Sequence, residues 1–380
     1  MGKKIGILTQ PLAGSYGGIL QAYAMQKILF QLGYDSIILN RVTSPSFNTA
    51  RYIWRTMKFL GGQSPKIRVW PNRVESQIIY QHTFRFINQY LNVSPELNST
   101  SKLKRYVTEN DFMGFVVGSD QVWRKSYSPC IENYFLDFID GDDSFRKIAY
   151  AASFGIDYWE YGKARTKYFS HLAKQFDAIG VREDTAVDLC EQFLNVNATH
   201  VLDPTMLLDK GVYGDLAMSN TKSPSGDLFA FILDRSDEKS AFIDQVGKKL
   251  GLTPYELLPN KHFSTIKSNI ELEDCIVPPI EQWLRNIMEA KFVVTDSFHG
   301  TVFSIIFNKP FITIANKSRG LTRFSSLLKT FGLTNRLVFL SKVLIKSSES
   351  SLIGLETNIV NEKLKYSSNK SLKFLNDIIG

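Results

Sequence analysis

KIGILTQPLAGSYGGILQAYAMQKILFQLGYDSIIL, residues 4–39, decides the fold class. Lys4 to Thr9 reads as a short apolar strand. Pro11 to Gly18 is a glycine-bearing turn. From Ile19 to Leu32 the apolar Leu20, Tyr23, Ala24, Ile28 and Leu32 recur at helical spacing, and Gly33 stops the run. Ser36 to Leu39 is the next strand. A strand, a helix and a second strand in this order make a β-α-β unit, the seed of a parallel sheet.

The alternation continues along the chain. Phe112 to Val117 is a strand that runs into Gly118-Ser119-Asp120-Gln121-Val122-Trp123. Lys147 to Ser153 and Phe176 to Val181 are further strands, the second closing on Arg182-Glu183-Asp184. Near Val201-Leu202-Asp203-Pro204-Thr205 the pattern restarts, and Ser219 to Gly226 reads as a surface loop. Then follow a strand at Leu228 to Leu233 and helices at Glu238 to Leu250 and Pro279 to Ala290. FVVTDSFHGTVFS, residues 292–304, reads as a buried strand, a polar turn and a helix over Thr301 to Phe307. A strand at Phe311 to Ile314 and a closing helix near the end complete the series.

Two such blocks predict an α/β protein of two doubly wound Rossmann-like domains facing a cleft. The expected division is 1–200, 201–345, and a tail at 346–380 that packs back on the body. Ligands of open parallel sheets sit outside the carboxyl ends of the strands. Gly14 to Gly18, Gly118 to Trp123, Arg182 and Asp296 to Thr301 all follow predicted strands, so they are candidates for one shared cleft.

Composition narrows the function classes. The 44% apolar and 22% charged residues are ordinary for a globular chain. The net charge of +8 favours anionic partners such as phosphorylated metabolites or lipid headgroups. No long Lys/Arg block or RNA-module signature is present, which argues against nucleic acid. Cys130, Cys190 and Cys275 are widely separated and form no CxxC pair, so neither a zinc site nor a disulfide framework is expected. There is no apolar run of membrane-spanning length and no signal-peptide pattern at the start, so a cytoplasmic location is expected. The segment 51–90 stands apart as helical, basic and aromatic, with Arg51, Arg55, Lys58, Lys66, Arg68 and Arg73 among Tyr52, Trp54, Phe59 and Trp70. It suits either a membrane surface or a solvated amphipathic helix.

Each motif has a functional and a structural reading. His299 and Gly300 at the start of a helix suit an anion, held by unpaired backbone N–H groups and the helix dipole. Alternatively, Asp296 or Ser297 caps the helix and His299 is a satisfied polar side chain. Gly14-Ser15-Tyr16-Gly17-Gly18 matches no phosphate-loop pattern, and a tight turn explains it. Gly118-Ser119-Asp120-Gln121 suits sugar hydroxyls, or Asp120 caps a helix. Arg182 is either a fixed cation for a carboxylate or phosphate, or a surface ion pair with Glu183 or Asp184. Asp140-Gly141-Asp142-Asp143 reads as a flexible acidic loop rather than a metal site. No Ser-His-Asp order, HExxH motif or cysteine-nucleophile setting supports hydrolysis.

The ordered set of Gly14-Ser15-Tyr16-Gly17-Gly18-Ile19-Leu20-Gln21-Ala22-Tyr23-Ala24, Gly118 to Trp123, Tyr134-Phe135-Leu136-Asp137-Phe138, Ala149 to Gly155, Val181-Arg182-Glu183, Leu202 to Thr205 and Thr295 to Thr301 resembles the polysaccharide pyruvyl transferase family. The resemblance implies the two-domain glycosyltransferase arrangement called GT-B. It also implies transfer of the enolpyruvyl carbons of phosphoenolpyruvate onto two hydroxyls of a sugar, as a cyclic ketal, with phosphate leaving. No metal or redox cofactor is required. The roles it suggests are His299 as acid or phosphate clamp and Asp120 as base or hydroxyl orienter. Arg182, Ser297, Gly300 and Thr301 would hold the donor, and Ser15, Tyr16, Gly17, Ser119 and Gln121 the acceptor. The family pattern has an Arg two residues before this His, where Ser297 stands here. Arg319 or Arg323 is expected to supply that cation. A lipid-linked acceptor would place the protein at the inner membrane face, with the basic-aromatic segment as the contact. The alternatives are a GT-B glycosyltransferase using a nucleotide sugar and a non-catalytic scaffold in glycan assembly.

Overall fold

A computed structural model describes residues 4–43, 71–125, 127–219, 222–266, 269–316, 319–340, 354 and 356–379. The basic-aromatic stretch 51–70 lies outside the described residues. Of that segment, Arg73–Ile79 and Gln81–Tyr90 are helices, and the first opens on a capping box between Asn72 and Glu75.

Two parallel sheets carry the chain. The first has strands β1 (Lys4–Leu8), β2 (Asp35–Ile38), β3 (Gly114–Val117), β4 (Arg146–Ala152), β5 (Ala178–Val181) and β6 (Thr199–His200), in the order β2-β1-β3-β4-β5-β6. The second has β7 (Leu228–Phe231), β8 (Pro254–Glu256), β9 (Phe292–Thr295), β10 (Phe311–Ile314) and β11 (Leu337–Val338), in the order β11-β10-β9-β7-β8. Every adjacent pair is parallel. Helices cover both faces, so the strands are apolar runs rather than alternating ones. GFVV of β3 and FVVT of β9 are buried at every position. The fold is therefore α/β with two doubly wound sheets, as the repeated strand-helix pattern predicts. The short edge strands β6, β8 and β11 were not anticipated, because two or three residues carry too little pattern to stand out.

The strand orders fix where a ligand would sit. The first sheet reverses direction between β1 and β3, and the second between β7 and β9. At such a switch point the two following turns diverge and leave a crevice at the carboxyl edge. The turns after β1, β3, β7 and β9 are the ones that carry Gly14–Gly18, Gly118–Gln121, Leu233–Asp234 and Asp296–Ser297.

Two helices join the halves. Tyr16–Gln31 buries twelve named residues and Phe298–Ile306 buries all nine. A helix that is buried all round belongs inside the protein, not on its surface. One continuous apolar cluster includes Ile5, Tyr16, Leu20 and Met25 from the first half and Phe231, Trp283, Val302 and Phe303 from the second. The C-terminal helix Thr357–Ile379 returns to the first half, where Ser371 Oγ accepts from Leu202 N at 3.0 Å and the Ile379 carbonyl accepts from Tyr34 at 2.8 Å. Among the described residues no helix is long and apolar enough to cross a membrane.

Candidate functional site

The helix after β9 starts three residues earlier than the sequence pattern suggests. The helix spans Phe298–Ile306, not Thr301 to Phe307, and Ser297 is its N-cap, accepting from Gly300 N at 3.3 Å. The structural reading of Ser297 therefore holds. Gly300 and Thr301, expected to cradle a donor phosphate, face inward instead. A Cβ on Gly300 would lie 2.4 Å from Thr295 Oγ1, so this glycine allows the helix to seat on β9. Thr301 Oγ1 shares a 2.8 Å hydrogen bond with Thr313 Oγ1 and is fully buried. Asp296 is buried and accepts from Leu233 N at 2.6 Å, Asp234 N at 3.2 Å and Lys239 Nζ at 2.7 Å. It ties the β7 turn to the β9 turn.

His299 and Phe298 of this turn both reach across to the first half. The His299 ring lies on Gly17, where a Cβ would come 2.0 Å from Nδ1. Its Nε2 lies 3.4 Å from Asp203 Oδ2, at ion-pair range. The side chain is 8% exposed and Asp203 1%. Gly17 is thus a contact residue of the site and not only a turn former. Gly17→Ala is expected to displace the imidazole and to lower both activity and melting temperature. A variant that melts like the wild type would refute this seating of His299.

Asp203 is the hub of the cluster. Its Oδ2 accepts from Arg182 Nη1 at 2.9 Å and from Ser119 Oγ at 3.1 Å. Its Oδ1 accepts from Thr205 N at 3.1 Å and Thr205 Oγ1 at 2.7 Å. Burial opposes its charge, but His299, the Arg182 guanidinium and these hydrogen bonds hold its carboxyl far below the usual carboxylate range. Sequence reasoning noted Leu202 to Thr205 without giving Asp203 a role. The Asp-Pro-Thr pattern announces only a local turn, and its partners are 21, 84 and 96 residues distant in sequence or more locally obscure.

Arg182 is 2% exposed and pairs with neither Glu183 nor Asp184. Its second amine, Nη2, donates to Asp120 Oδ1 at 3.1 Å, and its guanidinium stacks over the Phe298 ring at 4.5 Å. Both amines are spent on carboxylates, so Arg182 is an organiser of the cluster rather than an uncommitted cation. Asp120 sits at φ 80°, a backbone region that few residues other than glycine adopt. Burial opposes its charge, but Arg182, Arg323 and His299 prevail and lower its pKa. A carboxylate held down in this way is a weak base, so its geometry favours orienting over proton abstraction. Glu183 turns to the other side, where Ser153 Oγ and Gly155 N (3.0 Å) donate to Oε1. Burial raises its pKa. Asp184 pairs with Lys329 at 2.8 Å across the two halves.

Of the two arginines expected after β10, only Arg323 enters, from the first turn of the helix Leu321–Phe331. It is 7% exposed, with Nη1 3.8 Å from Asp120 Oδ1 and its guanidinium 5.2 Å from the Phe298 ring centre. Its Nη2 donates to the Arg319 carbonyl, and its Nε has no partner among the described residues. Burial and the like charge of Arg182 lower its pKa to about 10. Arg319 is instead held at the mouth, donating from Nε and Nη2 to the two oxygens of Asp234 at 2.7 Å each. That pair holds the Asp234 carboxyl at about 2, the Arg319 hydrogen bonds being the main cause.

The expected acceptor residues divide. Ser15 caps the first helix by accepting from Gly18 N at 3.2 Å. Tyr16 is core, with its hydroxyl donating to the Pro278 carbonyl at 2.8 Å and its ring against Phe231 and Trp283. Ser119 belongs to the cluster through Asp203. Gln121 is 6% exposed and accepts from Arg124 Nη1 at 2.9 Å. Asp140, in the acidic loop, meets His171 Nε2 at 3.0 Å and Gln175 Nε2 at 2.6 Å. Among the described residues no His, Cys, Asp or Glu group is arranged to hold a metal ion.

The structure thus brings His299, Asp203, Arg182, Asp120, Arg323, Ser119 and Gly17 together at the facing carboxyl edges of the two sheets. The comparisons with known proteins agree with this architecture. A family model described as polysaccharide pyruvyl transferase matches residues 16–318. A search of curated protein sequences gives no match. Among solved structures, UGT89C1 of Arabidopsis thaliana complexed with UDP-L-rhamnose superposes with a TM-score of 0.54 at 9% identity, covering 100% of this chain and 99% of that one. UDP-GlcNAc 2-epimerase from Neisseria meningitidis bound to UDP-GlcNAc gives 0.49 at 9% identity, covering 99% of each. The first places the fold in the GT-B class, and at such identity it speaks for the fold alone.

Proposed function

The chain belongs to the polysaccharide pyruvyl transferase family, and from that membership we propose that it transfers the enolpyruvyl group of phosphoenolpyruvate to two hydroxyls of a sugar in a glycan precursor. The observation that carries the reading is the buried cluster of Arg182, Arg323 and His299 with Asp120 and Asp203 where the two sheets meet. Two guanidiniums stand beside the carboxylates of Asp120 and Asp203, and the His299 imidazole adjoins them. Such a site favours an anion of phosphoenolpyruvate type. Arg323 is the donor cation, because among the described residues its carboxylate contact is a single 3.8 Å approach to Asp120, against two at 2.9 and 3.1 Å for Arg182, and the neighbouring Arg182 repels it. An incoming carboxylate or phosphate relieves both penalties. Arg319 replaces the cation absent at Ser297 only after leaving Asp234.

In the reaction His299 gives a proton to C3 of the donor, and C2 becomes an oxygen-stabilised cation. One sugar hydroxyl adds to C2, forming a C–O bond. The C2–O bond to phosphate then breaks, and the second hydroxyl closes the ketal. Of the two hydroxyl protons, one ends on C3 and the other on phosphate. Asp203 faces the imidazole Nε2 at ion-pair range, and Asp120 holds Arg182 beside Arg323.

Thermal melting tests this reading. Phosphoenolpyruvate should raise the melting temperature of the wild type, and Arg323→Met should abolish the shift, since only a ligand of the native state stabilises it. A shift with nucleotide sugars and none with phosphoenolpyruvate would replace the ketal reading with glycosyl transfer. The lipid-linked acceptor and the contact with a membrane face, which rest on segment 51–70, belong to the same proposal and lie outside the described residues.

A further inference from the structure

A second polar group lies beside the cluster and has no part in it. The helix Ile280–Glu289 leads into β9, so its first turn stands at the same carboxyl edge as His299. Three consecutive residues there bury polar atoms that have no hydrogen-bond partner among the described residues: Glu281 Oε2, Gln282 Oε1 and Trp283 Nε1. The Glu281 side chain is 6% exposed. Its other oxygen accepts from Arg85 Nη2 at 2.9 Å, and Arg85 is half-exposed. Pro278, just before this turn, receives the Tyr16 hydroxyl, and the Tyr16 ring lies 5.5 Å from that of Trp283. Gly17, the next residue, carries the His299 ring.

A buried carboxylate oxygen and a buried indole N–H without partners are costly, because each has lost water and gained nothing. Folded proteins rarely leave such groups together, and where they do a missing partner is the usual reason. The missing partner must offer donors to Glu281 and Gln282 and an acceptor to Trp283. A sugar hydroxyl does both at once, donating through its hydrogen and accepting through its oxygen. An anion would instead be repelled by Glu281. We propose that Glu281, Gln282 and Trp283 form the subsite that receives the hydroxyls of the acceptor sugar, with Arg85 covering it in the unliganded protein. The proposal rests on the pyruvyl transfer reading for its acceptor, but the subsite is defined by its own groups. It also relocates the acceptor site, from Ser15, Tyr16, Gly17, Ser119 and Gln121 as expected from the sequence to the turn that the Tyr16 hydroxyl anchors.

The test uses methyl glycosides of galactose, glucose and mannose as probes, with the full-length protein and phosphoenolpyruvate present. Saturation-transfer NMR should show at least one glycoside bound to the wild type. Glu281→Gln should weaken that binding about tenfold or more, since a hydrogen bond to a charged group is lost. Its own melting temperature should stay close to that of the wild type, because the amide oxygen still accepts from the half-exposed Arg85 and little is lost with an ion pair so open to solvent. Trp283→Phe, which keeps an aromatic ring but removes the pyrrole part of the indole with its N–H, should weaken binding as well. The inference fails if Glu281→Gln binds the glycoside like the wild type, if it melts lower with binding intact, or if no glycoside binds the wild type. A Glu281-dependent glycoside signal without any phosphoenolpyruvate shift supports the subsite and overturns the donor assignment alone. A phosphoenolpyruvate shift that persists in Glu281→Gln supports the separation of the two sites.

Discussion

Arg182→Met is expected to be the most destabilising single substitution at the site. Methionine replaces the stem of Arg182 at similar length but leaves Asp203 and Asp120 buried without their main counter-charge. Breaking one side of a buried ion pair costs about 3–5 kcal/mol, since the remaining charge has neither water nor partner. Urea denaturation at pH 7 should show a loss of that size. The Arg182→Met/Asp203→Asn double variant should recover part of it, because the orphaned carboxylate is gone. The pH dependence has a defined sign. Both carboxyl pKa values are lowered in the folded protein, so the stabilisation is present above about pH 4 and is lost as pH falls further. The gap between wild type and Arg182→Met should therefore narrow in acid. A variant within about 1 kcal/mol of wild type at pH 7 would show that Arg182 is not the organiser of the cluster.

His299→Gln is expected to have the largest effect on turnover. Glutamine can still hydrogen-bond toward Asp203 but cannot deliver a proton. A positioned general acid contributes about 10²–10⁴-fold, so kcat should fall within that range. The assay is phosphate release from phosphoenolpyruvate with a methyl glycoside that binds the wild type. If His299 is the acid, the melting shift with phosphoenolpyruvate should survive in the variant. If the shift disappears together with activity, the imidazole is a clamp for the donor anion. Turnover within tenfold of wild type would remove His299 from the chemistry altogether.

Several parts of this site could be read before the structure. His299, Arg182, Asp120, Ser119, Gly17 and Arg323 each lie shortly after a strand, in a turn or in the first turn of the next helix, and the strands themselves are apolar runs between turn residues. Parallel sheets force such turns to one edge, so their convergence follows from chain order. Residues whose role depends on what faces them could not be read in this way. Asp203 looks like the cap of a short turn, and it is one, with Thr205 N donating to its side chain. Its second oxygen meets three groups from different elements. Glu281 looks like an ordinary acid in the first turn of an amphipathic helix, where the dipole favours it. Gly300 looks like an anion loop, but its missing Cβ serves the packing of helix on strand.

The sequence by itself determined the two α/β halves, the family and the edge at which the candidate site residues gather. These depend on local periodicity and on the connectivity of parallel strands, both of which are properties of chain order. The tertiary structure decided the distribution of charge: which arginine is spent on carboxylates, which is left short of partners, and which is held at the mouth by Asp234. Electrostatic roles depend on burial and on distances of a few ångströms between residues far apart in the chain. Here they arise only where the helices Tyr16–Gln31 and Phe298–Ile306 bring the two sheets together.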